Sequence, residues 1–119
     1  MKRVLVVDDK EEVRMVYVLL FGDEELDVLE AENGREALEI VKSVPVDLIL
    51  SDCLMPEMNG IELMREVQKL RPEVPFVFVS ANVNKQALED LKPFAVLPKP
   101  FHLGELKSIV HRALEPPRN

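Results

Sequence analysis

The chain contains a single cysteine, Cys53, so no intrachain disulfide can form and a reducing compartment is expected. Long hydrophobic runs are also missing, and no segment approaches the roughly 20 apolar residues that a bilayer crossing needs. At its start, MKRVLVVDD places only four apolar residues between a basic end and two aspartates, too few for a secretory core. The expectation is a cytoplasmic protein without membrane attachment. Positive charge is scarce. Fifteen Lys and Arg face 22 Asp and Glu, for a formal net charge of −7, which argues against this module gripping nucleic acid directly. Histidine and cysteine clusters of the kind zinc takes are absent as well. No repeat, linker or low-complexity tract interrupts the chain, and only the closing EPPRN reads as a loose end.

What remains is an ordinary globular balance. With 119 residues, 47% hydrophobic and 31% charged, the chain can bury a core without disulfide or metal staples, in one domain over 1–115 with 116–119 as a tail or the start of a linker. Short β-branched runs alternate with longer amphipathic segments. Strands are expected at Arg3–Val7, Asp27–Ala31, Asp47–Ser51, Pro75–Val79 and Ala95–Pro98. Helices are expected at Lys10–Phe21, Gly34–Lys42, Gly60–Leu70, Asn84–Leu91 and Leu103–Leu114. The first, third and fourth strands are almost wholly apolar, as central parallel strands covered on both faces should be. The second is half polar and the fifth carries Pro98, which suits edges because proline removes a ladder donor. The fold class is therefore α/β, a doubly wound five-stranded parallel sheet with helices on both faces.

Ligands of such sheets bind at the carboxyl ends of the strands. There the chain carries Asp8-Asp9 after the first strand, Asp52 after the third, Ser80-Ala81 after the fourth and Lys99-Pro100 after the fifth. Three carboxylates sharing a pocket repel one another unless a cation neutralises them. Hard oxygen donors suit Mg²⁺. A cation and an ammonium together can clamp a phosphoryl group, and a carboxylate can attack phosphorus to give an aspartyl phosphate.

These residues resemble a receiver domain of the two-component response regulator family over essentially the whole chain. The matching pieces are VLVVDD (4–9), DLILSDCLMPEMNG (47–60), PFVFVSA (75–81) and LPKPF (97–101). The resemblance implies the flavodoxin-like strand order 2-1-3-4-5. It implies Asp52 as phosphoacceptor and a metal shell of Asp8, Asp9, Asp52 and the Leu54 backbone carbonyl, filled by Mg²⁺ with Mn²⁺ as a substitute. Ser80, the Ala81 backbone and Lys99 would contact the phosphoryl group, and Lys99–Pro100 matches a bond usually cis in the family. The family's switch pairs a Ser or Thr, here Ser80, with an aromatic residue three before the lysine. Here that position is Val96, stiff and short in reach, so the chain departs from the usual aromatic readout. The segment from Ser80 to Lys99 also looks shorter than in most relatives, so the fourth helix or its loops should be trimmed.

Each residue also has a plainer role. Asp8-Asp9 could cap the helix that follows, Asp52 could cap a turn, Ser80 could satisfy local backbone, and Lys99 could be a solvated lysine. Met55, Met58 and Cys53 read as packing, His102 and His111 as surface residues, and Asp23-Glu24-Glu25 as a solvated acidic turn. Leu54 and Asn82 flank the expected site and would tune phosphate lifetime.

The resulting expectation is a phosphoacceptor signalling domain rather than an enzyme acting on external substrates. Its donor would be a sensor histidine kinase or phosphotransfer protein. Its output partner would be a domain or effector on the face of the fourth helix, fifth strand and fifth helix. The chain would be a monomer or a weak phosphorylation-linked dimer. The rivals are a phosphorylation-independent interaction module, motivated by Val96, and an Mg²⁺-dependent hydrolase, for which the short chain offers no cap insertion.

Overall fold

The computed structural model describes residues 1–22, 24–53, 55, 57–81 and 85–115. Five strands and five helices alternate: β1 (Lys2–Val7), α1 (Glu11–Gly22), β2 (Leu26–Ala31), α2 (Gly34–Ser43), β3 (Leu48–Ser51), α3 (Gly60–Leu70), β4 (Phe76–Ser80), α4 (Lys85–Leu91), β5 (Ala95–Pro98) and α5 (Leu103–Leu114). Expected and observed ends agree to within a residue or so. All strand pairs are parallel, in the order β2-β1-β3-β4-β5. The half-polar β2 and the proline-bearing β5 are the edges.

The apolar strands bury both faces, and their alternation sorts side chains between two cores. Leu5, Val7, Ile49, Phe76 and Phe78 point to the side covered by α2, α3 and α4, where they meet Ala37, Val41, Leu63, Val67 and Leu88. Val4, Val6, Leu48, Leu50, Val77 and Val79 point to the other side, against Tyr17 and Phe21 of α1 and Leu106 and Val110 of α5. Local signals fix the helix starts. Asn33 caps α2 by accepting from the Glu36 N–H. Asn59 and Glu62 form a reciprocal capping box at α3, which stops the loop after β3 from running on. Among the described residues α4, at 7 residues, is the shortest helix. No helix among the described residues is long and apolar enough to cross a membrane.

Backbone pairing continues one residue past the strands, and this is what places the site. The Asp8 N–H donates to Ala31 O at 3.1 Å, the Asp52 N–H to Val7 O at 3.1 Å, and the Lys99 N–H to Ser80 O at 3.2 Å. Each of these side chains is therefore held in register with a neighbouring strand.

Candidate functional site

Asp8, Asp9 and Asp52 meet at the carboxyl edge of β1 and β3, where one carboxylate oxygen from each lies within 4.8 Å of the others. Asp8 is buried, Asp52 is half-buried and Asp9 is exposed. Lys99 reaches in from β5. Its Nζ stands 3.6 Å from Asp52 Oδ2 and 3.9 Å from Asp8 Oδ2. The four charges sum to −2, so one divalent cation would balance them. Close, hard oxygen donors with an open side at Asp9 fit Mg²⁺, which keeps several of its waters.

Burial raises the Asp8 carboxyl above its ordinary value. The Lys10 N–H lowers it, Asp52 raises it, Lys99 lowers it, and Asp9 raises it slightly. The Lys10 N–H donates to Asp8 Oδ1 at 2.9 Å. The plain role as a local cap and the role in the carboxylate cluster thus fall on the same residue, one oxygen each: Oδ1 holds the loop and Oδ2 faces Lys99.

A close approach of backbone supports Asp52. A Cβ on Gly60 would lie 2.3 Å from Asp52 O and 2.9 Å from Phe78 Cε1, so only glycine lets α3 start here. The Gly60 N–H donates to Cys53 O at 2.9 Å, and Ser51 Oγ donates to Asp52 O at 2.7 Å. The Cys53 thiol is buried and pushed up to about 11, first by burial and then by the Asp52 charge, so it behaves as packing.

Ser80 is buried, with its side chain in hydrogen-bond reach of the Cys53 thiol. Ala81 follows it at the surface. Both line an open groove of about 560 Å³ with Leu88, Glu89, Pro93, Val96 and Pro98. Val96 is half-buried and leaves this groove unfilled, while Phe94, one residue before β5, is exposed over about half its surface. The Lys99–Pro100 bond is cis. Leu54, expected to offer a carbonyl to a metal, and Asn82, expected to tune lifetime, lie outside the described residues.

Three features escaped sequence reading. Arg14 Nη1 donates to Asp8 O at 2.7 Å, and its Nε to Glu30 Oε1 at 3.1 Å. Tyr17, on the buried face of α1, has its hydroxyl raised by burial and then by the charges of Asp8 and Asp52. Glu24, expected as part of a solvated turn, instead pairs with Lys107 at 2.6 Å and with His111, which lower its carboxyl and tie the α1–β2 turn to α5. An arginine or tyrosine one or two turns into a helix gives no sign in sequence of where its long side chain ends. The Glu24 contacts span more than 80 positions in the chain.

A family model described as the response regulator receiver domain matches residues 4–111. The chain is 33% identical to the response regulator receiver protein CpdR of Brucella abortus (strain 2308), covering 96% of this chain and 98% of that protein. It is 40% identical to the sensor kinase CckA of the same strain over 94% of this chain but only 12% of CckA. The chain spans no more than 26% of two further regulators that it matches. Among solved structures it resembles the response regulator TrrA of Thermotoga maritima in complex with Mg²⁺ and BeF. That likeness has a TM-score of 0.86 at 31% identity, over 96% of this chain and 100% of that one.

Proposed function

Because the chain belongs to the response regulator receiver domain family of two-component systems, we propose that it works as a phosphorylation switch with Asp52 as the acceptor. The carboxylate of Asp52 attacks the phosphorus of a phosphohistidine on a sensor kinase or phosphotransfer protein. The P–N bond breaks, its electron pair goes to the imidazole nitrogen, which takes up a proton, and an aspartyl phosphate forms. The donor thus leaves as neutral imidazole. Attack of water on the phosphorus later breaks the new P–O bond, releases phosphate and restores the carboxylate.

The observation that carries this reading is the convergence of Asp52, Lys99 and two further carboxylates on one rigid sheet edge. Lys99 orients Asp52 before transfer and meets phosphoryl oxygens after it. Asp8 and Asp9, with Asp52, would hold Mg²⁺, Mn²⁺ substituting. When bound, the ion neutralises carboxylate repulsion and draws charge from the phosphoryl oxygens. Ser80 and the Ala81 backbone stand on the adjacent strand end, where they can take over a phosphoryl oxygen. The aspartyl phosphate then shifts the balance between two conformations. The partner that reads it, a domain or effector, would bind the α4, β5 and α5 face, in a cytoplasmic setting. The groove left by Val96 makes the coupling of Ser80 to that face different from an aromatic swing.

Beryllofluoride, a stable mimic of an acyl phosphate, tests this directly. With Mg²⁺ it should raise the melting temperature of the wild-type chain, and it should leave Asp52→Asn and Lys99→Ala unmoved. A wild-type chain indifferent to Mg²⁺ and beryllofluoride would overturn the switch and favour a phosphorylation-independent interaction module.

A further inference from the structure

We propose that Arg14 is a positioning residue for cation binding, locking the Asp8–Asp9 peptide so that the Asp9 carboxylate faces the site. The inference rests on reading Asp8, Asp9 and Asp52 as the cation's ligands. Asp8 is pinned at its N–H by Ala31 O and at Oδ1 by the Lys10 N–H, so its own strand register is secure. The orientation of the next peptide depends on the Asp8 carbonyl, and that carbonyl accepts from Arg14 Nη1 at 2.7 Å, a short charge-assisted bond. The guanidinium is restrained at a second point, because its Nε is held by Glu30 of β2 at 3.1 Å and the side chain is only 14% exposed. One planar fork thus ties the loop after β1 to the edge strand, a task that a flexible ammonium cannot copy. Asp9 has no comparable support among the described residues, so its direction is inherited from the peptide that Arg14 fixes.

Charge and geometry predict different effects here, and this makes the idea testable. Arg14 is a cation bonded to the backbone of one of the three aspartates, so on charge alone its removal should leave divalent-cation binding unchanged or tighten it. If it positions Asp9, removal should weaken one. Mg²⁺ affinity would be measured by calorimetry at fixed ionic strength on the wild type, Arg14→Ala and Arg14→Lys. Melting temperatures in EDTA would verify that each chain is folded. The expected result is a loss of about tenfold in Arg14→Ala, the lower end for groups that orient metal ligands. Arg14→Lys keeps the charge but not the fork, and should lose affinity as well. It also carries the test if Arg14→Ala does not fold. Tighter or unchanged binding in Arg14→Ala, or full wild-type affinity in Arg14→Lys, would overturn the proposal while leaving Asp52 as acceptor intact. A wild type that binds no Mg²⁺ would overturn the parent reading as well.

Discussion

Replacing Asp52 by asparagine should make the metal-free protein more stable, although it removes a half-buried partner of Lys99. The Asp52 oxygen lies within 4.8 Å of both an Asp8 and an Asp9 oxygen. At an effective dielectric of about 20, each such pair repels by about 3.5 kcal/mol, or about 7 kcal/mol for the two. The attraction of Lys99 at 3.6 Å returns about 4.6 kcal/mol on the same scale. On these three charge pairs alone, a surplus of about 2 kcal/mol opposes folding. Solvent at the exposed Asp9 screens part of it, leaving about 1 kcal/mol as the floor. Asparagine keeps an oxygen acceptor and the shape of the side chain. The melting temperature in EDTA should thus rise by roughly 4–8 °C. Magnesium should reverse the order. It stabilises whichever chain binds it by about 2.7 kcal/mol at a hundredfold excess over the dissociation constant, and the wild type binds it better. Thermal melts of both chains with EDTA and with Mg²⁺, at matched ionic strength, measure this. An Asp52→Asn chain that melts below the wild type in EDTA would refute the electrostatic argument.

Three further outcomes follow from the same geometry. Gly60→Ala would drive a Cβ to 2.3 Å from Asp52 O, so it should cost about 1–3 kcal/mol in urea melts and weaken Mg²⁺ binding through the displaced aspartate. Asp8 has a raised carboxyl, so its contribution to stability is fullest below the unfolded value near 3.8 and is lost as pH rises through its folded value. Adding Mg²⁺ should flatten that loss in a pH series of melts, and Asp8→Asn should remove it. Glu24 has a lowered carboxyl, through Lys107 first and then His111, so its contribution is present above the unfolded value near 4.5 and is lost as pH falls through the folded one. Glu24→Gln should cost about 1 kcal/mol at pH 7, with the difference from wild type vanishing in acid.

The sheet was legible because its code is short-range. Apolar runs such as VLVV and FVFV, alternating with segments whose apolar residues fall at helical spacing, specify strand and helix within a few residues. Proline at 98 and the half-polar second strand even assigned the edges. Asp8, Asp9, Asp52 and Lys99 were legible for a related reason, since a parallel sheet collects its strand ends at one edge. What stayed hidden depends on the reach and packing of long side chains. Nothing in the spacing of Arg14 from Asp8 says that its guanidinium folds back to a carbonyl. Likewise, the acidic run at 23–25 looks like solvated charge until α5 brings Lys107 and His111 beside Glu24. The open groove at Val96 was half legible: the small residue is visible in sequence, but the space around it depends on a 7-residue α4 and on Leu88 and Pro93 packed at its sides.

The most direct test of the central claim is intact mass after incubation with acetyl phosphate, with and without Mg²⁺, beside Asp52→Asn. One phosphoryl group added to the wild type, dependent on Mg²⁺ and absent from Asp52→Asn, is the predicted result. An unmodified wild type, or a phosphoryl group that persists on Asp52→Asn, would contradict the assignment of Asp52 as the acceptor.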